Sequence, residues 1–299
     1  MTYSVALPEC RLSALAGRVP IDVVRDGIFR NLGFASDPQE SMLAFAAEED
    51  FAVQLGSCPE VSCVLTTPAL AGLFPAAIGL AACADPQADF YAIHEHLATR
   101  TDFYWSDFAT EIGPGARVHP RAWIAEKNVR IGAHASIGPQ ASIGERTLIG
   151  ADAVIHAGAT LGAEGFQLAR RGGKVLSMPH RGATRIGERA VVLANAVIAS
   201  ALFRQATVIG PDTRLGNLGF VSHNVRTGSS CFLGHGCVVN GNVAIGNRVW
   251  IGPNATIANN LVIGDDAYVC LGATVLGPVA PGECIHGLAV DHELSRKRR

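Results

Sequence analysis

The sequence lacks the marks of several common protein classes. None of its eight cysteines stands in a C-x-x-C pair, so the usual zinc-ribbon and thiol-redox spacings are absent and the expectation is free thiols, with no metal. Charged residues make up only 17% of the chain and the formal net charge is −2, which leaves no broad basic surface to attract nucleic acid. Long apolar runs are missing too. The longest, Ala69 to Ala84, is interrupted by Pro75 and falls short of the roughly 20 residues that a membrane-spanning helix needs. The start, MTYSVALPEC, has no charged segment leading into an apolar stretch, so no secretory leader is expected and the chain is placed in the cytoplasm. The basic end Ser295–Arg299 reads as a solvated terminus.

A repeat of six fills most of the remaining chain. Aliphatic residues recur at Ile112, Val118 and Ile124, then, after a slip of one residue, at Ile131, Ile137, Ile143, Ile149, Ile155 and Leu161. A short second series is Ile186, Val192 and Ile198. The third runs from Ile209 to Val275 and keeps an aliphatic residue at eleven of twelve positions, Thr227 being the exception. Glycine directly follows many of these, as at Gly132, Gly216, Gly234 and Gly252. The pattern reads as a short strand and a corner, with glycine supplying positive φ and close backbone approach. Three such hexads close one triangular coil of a parallel β-helix, with the aliphatic residues stacked inside. The 24 repeat positions make about eight coils, or about 38 Å of height at the spacing of sheet strands. Residues 18 apart in an unbroken series should lie above one another.

Two stretches break the phase, Ala163 to Arg185 and Ala199 to Val208. Either is a tolerated surface loop or a protrusion that shapes a pocket on an otherwise flat wall. Residues 1–108 show no six-residue period. Val61 to Thr66 reads as a buried strand and Phe90 to Ala98 as a helix, with turn signals at Asp37-Pro38 and Asp85-Pro86. The expected organisation is a small α/β domain over 1–108, the β-helix over 109–285 and a short tail over 286–299.

The strongest local candidate for chemistry is His223, two positions past the inward-facing Val221. A histidine titrating near neutrality suits removal of a proton from an attacking amine; it equally suits an ordinary surface or interface position. Gly241 follows by 18 residues and should stack over it, where its N–H could stabilise an oxyanion or simply serve a corner. His235 shares the hexad phase but lies 12 residues on, hence on another wall, and no third partner completes a histidine zinc site.

Three motifs in order resemble UDP-3-O-(3-hydroxyacyl)glucosamine N-acyltransferase of the lipid A pathway, within the hexapeptide-repeat acyltransferase superfamily. Gly162-Ala163-Glu164-Gly165-Phe166 resembles its GxDGF loop, and Met178-Pro179-His180-Arg181-Gly182 its IPQxG segment. Gly216-Asn217-Leu218 through His223-Asn224-Val225 resembles its DNxxxIAHNV motif. The likeness spans nearly the whole chain. It implies a left-handed β-helix, a homotrimer with sites between subunits, His223 as general base and Gly241 as oxyanion donor. It also implies a uracil-binding N-terminal domain, in which Phe45, Glu48 and Phe51 match F-x-x-N-x-x-Y and the two aromatics either flank a flat base or are core phenylalanines. Gly165, Phe166, His180, Asn217 and Asn224 become further substrate-binding candidates. Departures stand at Glu48 in place of an amide, Gly216 in place of an aspartate, Ala199-Ser200 in place of an Asp-Arg pair, and Asn260 where a second histidine is common. The chain also ends soon after the repeats, without the helices associated with carrier-protein docking.

The expectation is therefore an N-acyltransferase, without a cofactor, that takes an acyl group from acyl-carrier-protein or acyl-CoA thioesters to the amine of a UDP-linked amino sugar. A short-chain acyl-CoA-dependent enzyme acting on another nucleotide sugar is the second reading. A non-catalytic β-helical binding protein is the third, because the fold alone does not fix function.

Overall fold

The computed structural model describes residues 8–171 and 173–286; the basic tail falls outside them. The chain folds into two units. Among the described residues, one comprises 8–107 with Phe166–Arg181 and Leu202–Arg204; the other comprises Phe108–Gly165, Gly182–Ala201 and 205–286.

The first unit is built on a sheet of five strands. In chain order the strands are β1 (Cys10–Arg11), β2 (Asp22–Arg25), β3 (Ile28–Phe29), β4 (Asn31–Leu32), β5 (Met42–Ala46), β6 (Val61–Thr66) and β7 (Gly79–Ala82). The sheet order is β2-β7-β6-β5-β4, with β2 alone antiparallel, while β1 and β3 form a separate antiparallel pair. Side chains alternate across β5. Met42, Ala44 and Ala46 join a core with Ala52 and Leu55 of helix α1 (Glu49–Gly56), and Leu43 joins a second core with Phe90, Ile93 and Leu97 of helix α2 (Pro86–Arg100). A strand buried on both faces between two helices explains the near-continuous apolar run MLAFA. The Asp85-Pro86 pair marks the start of α2: Asp85 accepts from the Ala88 N–H at 3.0 Å as the N-cap, and Pro86 occupies the first turn.

Both interruptions of the repeat contribute to this unit. Within the first, Leu168–Arg171 and Lys174–Ser177 pair as an antiparallel hairpin, and Met178 is buried in the α2-side core. From the second, Phe203 meets Phe34, Phe90 and His94 edge-on at centroid distances of 5.2, 5.8 and 5.2 Å. The Arg204 guanidinium lies 4.0 Å from the Phe103 ring centroid and donates to the Pro8 and Arg30 carbonyls. Burial pulls its pKa down to about 10, so it remains a cation held by a ring face and backbone oxygens.

The second unit is a left-handed parallel β-helix. Its three walls are parallel sheets of eight, eight and nine strands, matching the eight coils expected from the repeat. Strands stack in the anticipated phase, with Ile131 against Ile149, Val221 against Val239 and Ile251 against Val269. The aliphatic position is buried from Ile131 to Val275, and Ile143, Val192, Ile198, Leu215, Val239 and Ile257 are all fully buried, whereas Ile112 on the first coil is 55% exposed.

The corner works differently from the sequence-based expectation. Apart from Gly162 (φ 77), positive φ falls three residues after the aliphatic position, not on the glycine that follows it: Asp152 (φ 56), Asn195 (φ 57), Asn224 (φ 58), Asn242 (φ 60) and Asn254 (φ 55) all adopt it. Short amide and carboxylate side chains tolerate this left-handed region best among non-glycine residues. The glycines answer to close approach instead. A Cβ on Gly132 would meet the Ala151 amide nitrogen at 2.5 Å, and one on Gly252 the Leu271 nitrogen at 2.5 Å. The chain turns so tightly onto the next coil that only a hydrogen fits.

Candidate active site

His223 sits just beyond the strand Phe220–Val221, which is paired with Val197–Ala199 on one side and Val238–Val239 on the other. The backbone around it is fixed by the coil ladder: Ser222 N–H donates to Val239 O at 2.9 Å, and Asn242 N–H donates to His223 O at 3.0 Å. The ring is only 8% exposed, with Nδ1 3.3 Å from Ser222 Oγ. If Nδ1 donates to that oxygen, the lone pair resides on Nε2.

Gly241 lies on the next coil, as the spacing of 18 anticipates. A Cβ built there would meet His223 Nε2 at 2.5 Å, Cε1 at 2.8 Å and Cδ2 at 3.1 Å. This differs from most of the glycines that directly follow an aliphatic position, whose missing Cβ makes room for backbone, and it is shared by Gly115, whose added Cβ would meet the His134 ring. Here the space is taken by one imidazole edge.

Asn224 turns the corner after His223. Its N–H donates to Thr207 Oγ1 at 3.0 Å, and its side-chain amide donates to Asn242 Oδ1 at 2.9 Å. Asn242 in turn donates to Asn260 Oδ1 at 2.9 Å. The three asparagines form one ladder at intervals of 18, each with positive φ. Asn260, a departure from the resembled pattern, thus has a structural role at the end of this ladder. Asn217 lies in the corner before the strand rather than after it. It is exposed, and its N–H donates to His235 Nδ1 at 2.9 Å. His235 follows Leu233 on a different wall from His223, as expected from their separation. Ala199 and Ser200 are buried, and Ser200 N–H donates to Ala163 O at 2.9 Å. Gly165, inside the first interruption, is the last residue of the β-helical unit before the chain passes to the first unit at Phe166.

The other candidates belong to the first unit. Phe45 is half-buried against Phe90, Phe34 and Tyr91 at 5.1, 6.3 and 6.5 Å. Phe51, on α1, is 49% exposed and so is not a core phenylalanine. Glu48 is exposed at the N-cap of α1, without a capping bond from its side chain. Phe166 is 79% exposed, whereas His180 is buried, with Nδ1 3.2 Å from Met178 O. Reading the sequence alone missed His94. Its Nε2 lies 2.7 Å from Pro179 O and its Nδ1 2.7 Å from the Tyr104 hydroxyl. A carbonyl only accepts, so Nε2 carries the proton and Nδ1 accepts from the tyrosine hydroxyl. This bond fixes the backbone beside His180. No sequence signal marks it, since the partners are 85 residues apart.

Residues 128–163 match the family described as bacterial transferase hexapeptide (six repeats). The match shows hexapeptide repeats over that stretch of the β-helix. No curated protein sequence matches the chain. Among solved structures, LpxA from Acinetobacter baumannii is 21% identical, covering 62% of this chain and 77% of that one, with a TM-score of 0.38. The UDP-N-acetylglucosamine acyltransferase from Campylobacter jejuni is 18% identical over 57% and 71% of the two chains, with a TM-score of 0.45. The polySia-specific acetyltransferase NeuO is 14% identical over 58% and 80%, with a TM-score of 0.30. At these values the likeness says nothing about substrate or residue roles.

Proposed function

We propose that this chain is an N-acyltransferase that transfers an acyl group from a carrier-protein or coenzyme A thioester to the amine of a UDP-linked amino sugar. The observation that carries the reading is the seat of the His223 imidazole against Gly241, where no other residue fits without moving the ring.

In the proposed reaction the neutral amine attacks the thioester carbonyl. His223 Nε2 takes a proton from the nitrogen as the tetrahedral species forms, and the Gly241 N–H donates to the developing oxyanion. Collapse expels the thiolate, which recovers the proton from the imidazolium, and an amide and a free thiol remain. No covalent enzyme intermediate is needed. Phe45, Glu48 and Phe51 are assigned to the uracil, and Gly165, Phe166, His180, Asn217 and Asn224 to the rest of the substrates. Assembly as a homotrimer belongs to the same proposal. Among the described residues no helix is long and apolar enough to cross a membrane.

The test has two arms. UDP should raise the thermal midpoint of the purified protein, since a ligand that binds only the folded state stabilises it. Mass spectrometry of products from UDP-amino-sugar and UDP-N-acetyl-sugar acceptors, with acyl-carrier-protein and acyl-CoA donors, should then show an amide. An ester product would move the acceptor to a hydroxyl. Absence of both ligand stabilisation and acyl transfer in a folded sample would refute the proposal.

A further inference from the structure

At the C-terminal end of the β-helix, Cys270, Cys284 and His286 converge, with their ligand atoms all within 4.8 Å of one another. Among the described residues, the strand Cys284–Ile285 lies at the edge of the nine-stranded wall and pairs with Tyr268–Val269 alone. Val269 is opposite Ile285, and Cys270 N–H donates to Ile285 O at 2.9 Å. Cys270 and His286 therefore occupy the same register position on adjacent coils, just past these inward residues, and Cys284 precedes Ile285. All three side chains are left on one outer face.

The geometry points to a metal site: we infer that Cys270, Cys284 and His286 bind one thiophilic divalent cation, Zn²⁺, which fastens the terminal strand to the coil before it. Cys270 Sγ lies 3.8 Å from His286 Nδ1. Tetrahedral zinc with usual sulfur and nitrogen bond lengths sets such a pair about 3.6 Å apart. The remaining separations need to contract by at most about 1 Å, and the ligands stand at the end of the helix where side chains have room to do so. Two thiolates and an imidazole select Zn²⁺ over Mg²⁺ or Ca²⁺, which prefer oxygen ligands. Binding converts both thiols to thiolates and releases their protons to solvent, and water completes the fourth position. The physical purpose follows from the fold. A solenoid frays from its ends, and among the described residues this two-residue edge strand is held on one side only, by backbone bonds to the coil before it. The sequence alone suggests no metal because the ligands are separated by 14 and two positions, a spacing that matches no common zinc signature and acquires meaning only when the coil stacks Cys270 beside His286.

The experiment is titration of the reduced, metal-free full-length protein with Co²⁺. One equivalent should produce a thiolate-to-cobalt charge-transfer band together with the intense visible bands of a tetrahedral site, and Zn²⁺ should displace it stoichiometrically. Cys284→Ser and His286→Ala should each weaken binding at least tenfold while leaving the circular dichroism of the β-helix unchanged. The titration of the unaltered protein tests the idea without relying on either variant. Absence of a saturable one-to-one Co²⁺ signal would overturn the inference. So would a signal that survives both substitutions, because the metal would then reside elsewhere.

Discussion

Replacing Gly241 by alanine introduces a methyl group whose carbon falls 2.5 Å from His223 Nε2. Ordinary contact begins near 3.4 Å, so the ring must retreat by about 1 Å. The backbone has no reason to object: Gly241 is not among the glycines with positive φ, and the nearest atoms around the added carbon all belong to the His223 ring. A displacement of about 1 Å at a reacting group costs on the order of 10²-fold in rate, while a side chain pushed off its rotamer costs only about 1 kcal/mol of stability. Acyl transfer by Gly241→Ala, followed as thiol release from the thioester donor, should therefore fall about 10²-fold with a nearly unchanged thermal melt. Alanine keeps its N–H, so the loss should act through His223 alone. Adding Gly241→Ala to a His223→Ala background should then cost little more, the signature of two residues acting as one unit. A folded Gly241→Ala protein with the original rate would refute the reasoning, because the ring would have been shown to work from a different place or not at all.

The corner glycines should behave in the opposite way. Gly216→Ala drives a Cβ into the His235 amide nitrogen, a backbone atom that cannot step aside, and should lower unfolding free energy by about 1–3 kcal/mol in a denaturant titration. At Asn242, glycine keeps the left-handed conformation but loses the bonds with Asn224 and Asn260; the expected cost is about 1–2 kcal/mol, with Asn242→Ala worse by about 1 more from backbone strain. Burial pushes the Cys63 and Cys237 thiols up to about 12, whereas an unfolded thiol ionises near 8.5. Between those values only the unfolded chain loses these protons, so their contribution to stability is complete below about pH 8.5 and declines as pH rises toward 12. Melting curves across that window should show it. Alkylation of the native, metal-free protein near neutral pH should label the exposed Cys284 and leave buried Cys63 and Cys237 untouched.

Much of the β-helix was legible in the sequence because its rule is local and repeated. One inward aliphatic side chain every six residues fixes phase, wall and stacking partner, and so Gly241 could be set over His223 from a count of 18 alone. The reason for the glycines was less legible. Glycine serves both positive φ and close approach, and nothing in a single chain separates the two until Asp152 or Asn242 is seen to carry the left-handed turn. Long-range packing was invisible for a related reason. Phe203 and Met178 interrupt the repeat as loop residues would, yet both are core residues of the first unit. His94 bonds across 85 positions, and Cys270 meets His286 only because coils stack. Asp85-Pro86 shows the limit of local signals even nearby, since the same pair that suggests a turn also caps a helix.

The most direct test of the central claim is single-turnover acyl transfer by His223→Gln, with UDP binding measured on the same sample. Glutamine preserves polarity and approximate size but cannot take the proton. The transfer rate should fall by about 10²- to 10⁴-fold with nucleotide binding unchanged. A His223→Gln protein that transfers acyl groups at the original rate would show that no base acts from this position, and the proposed chemistry would fall with it.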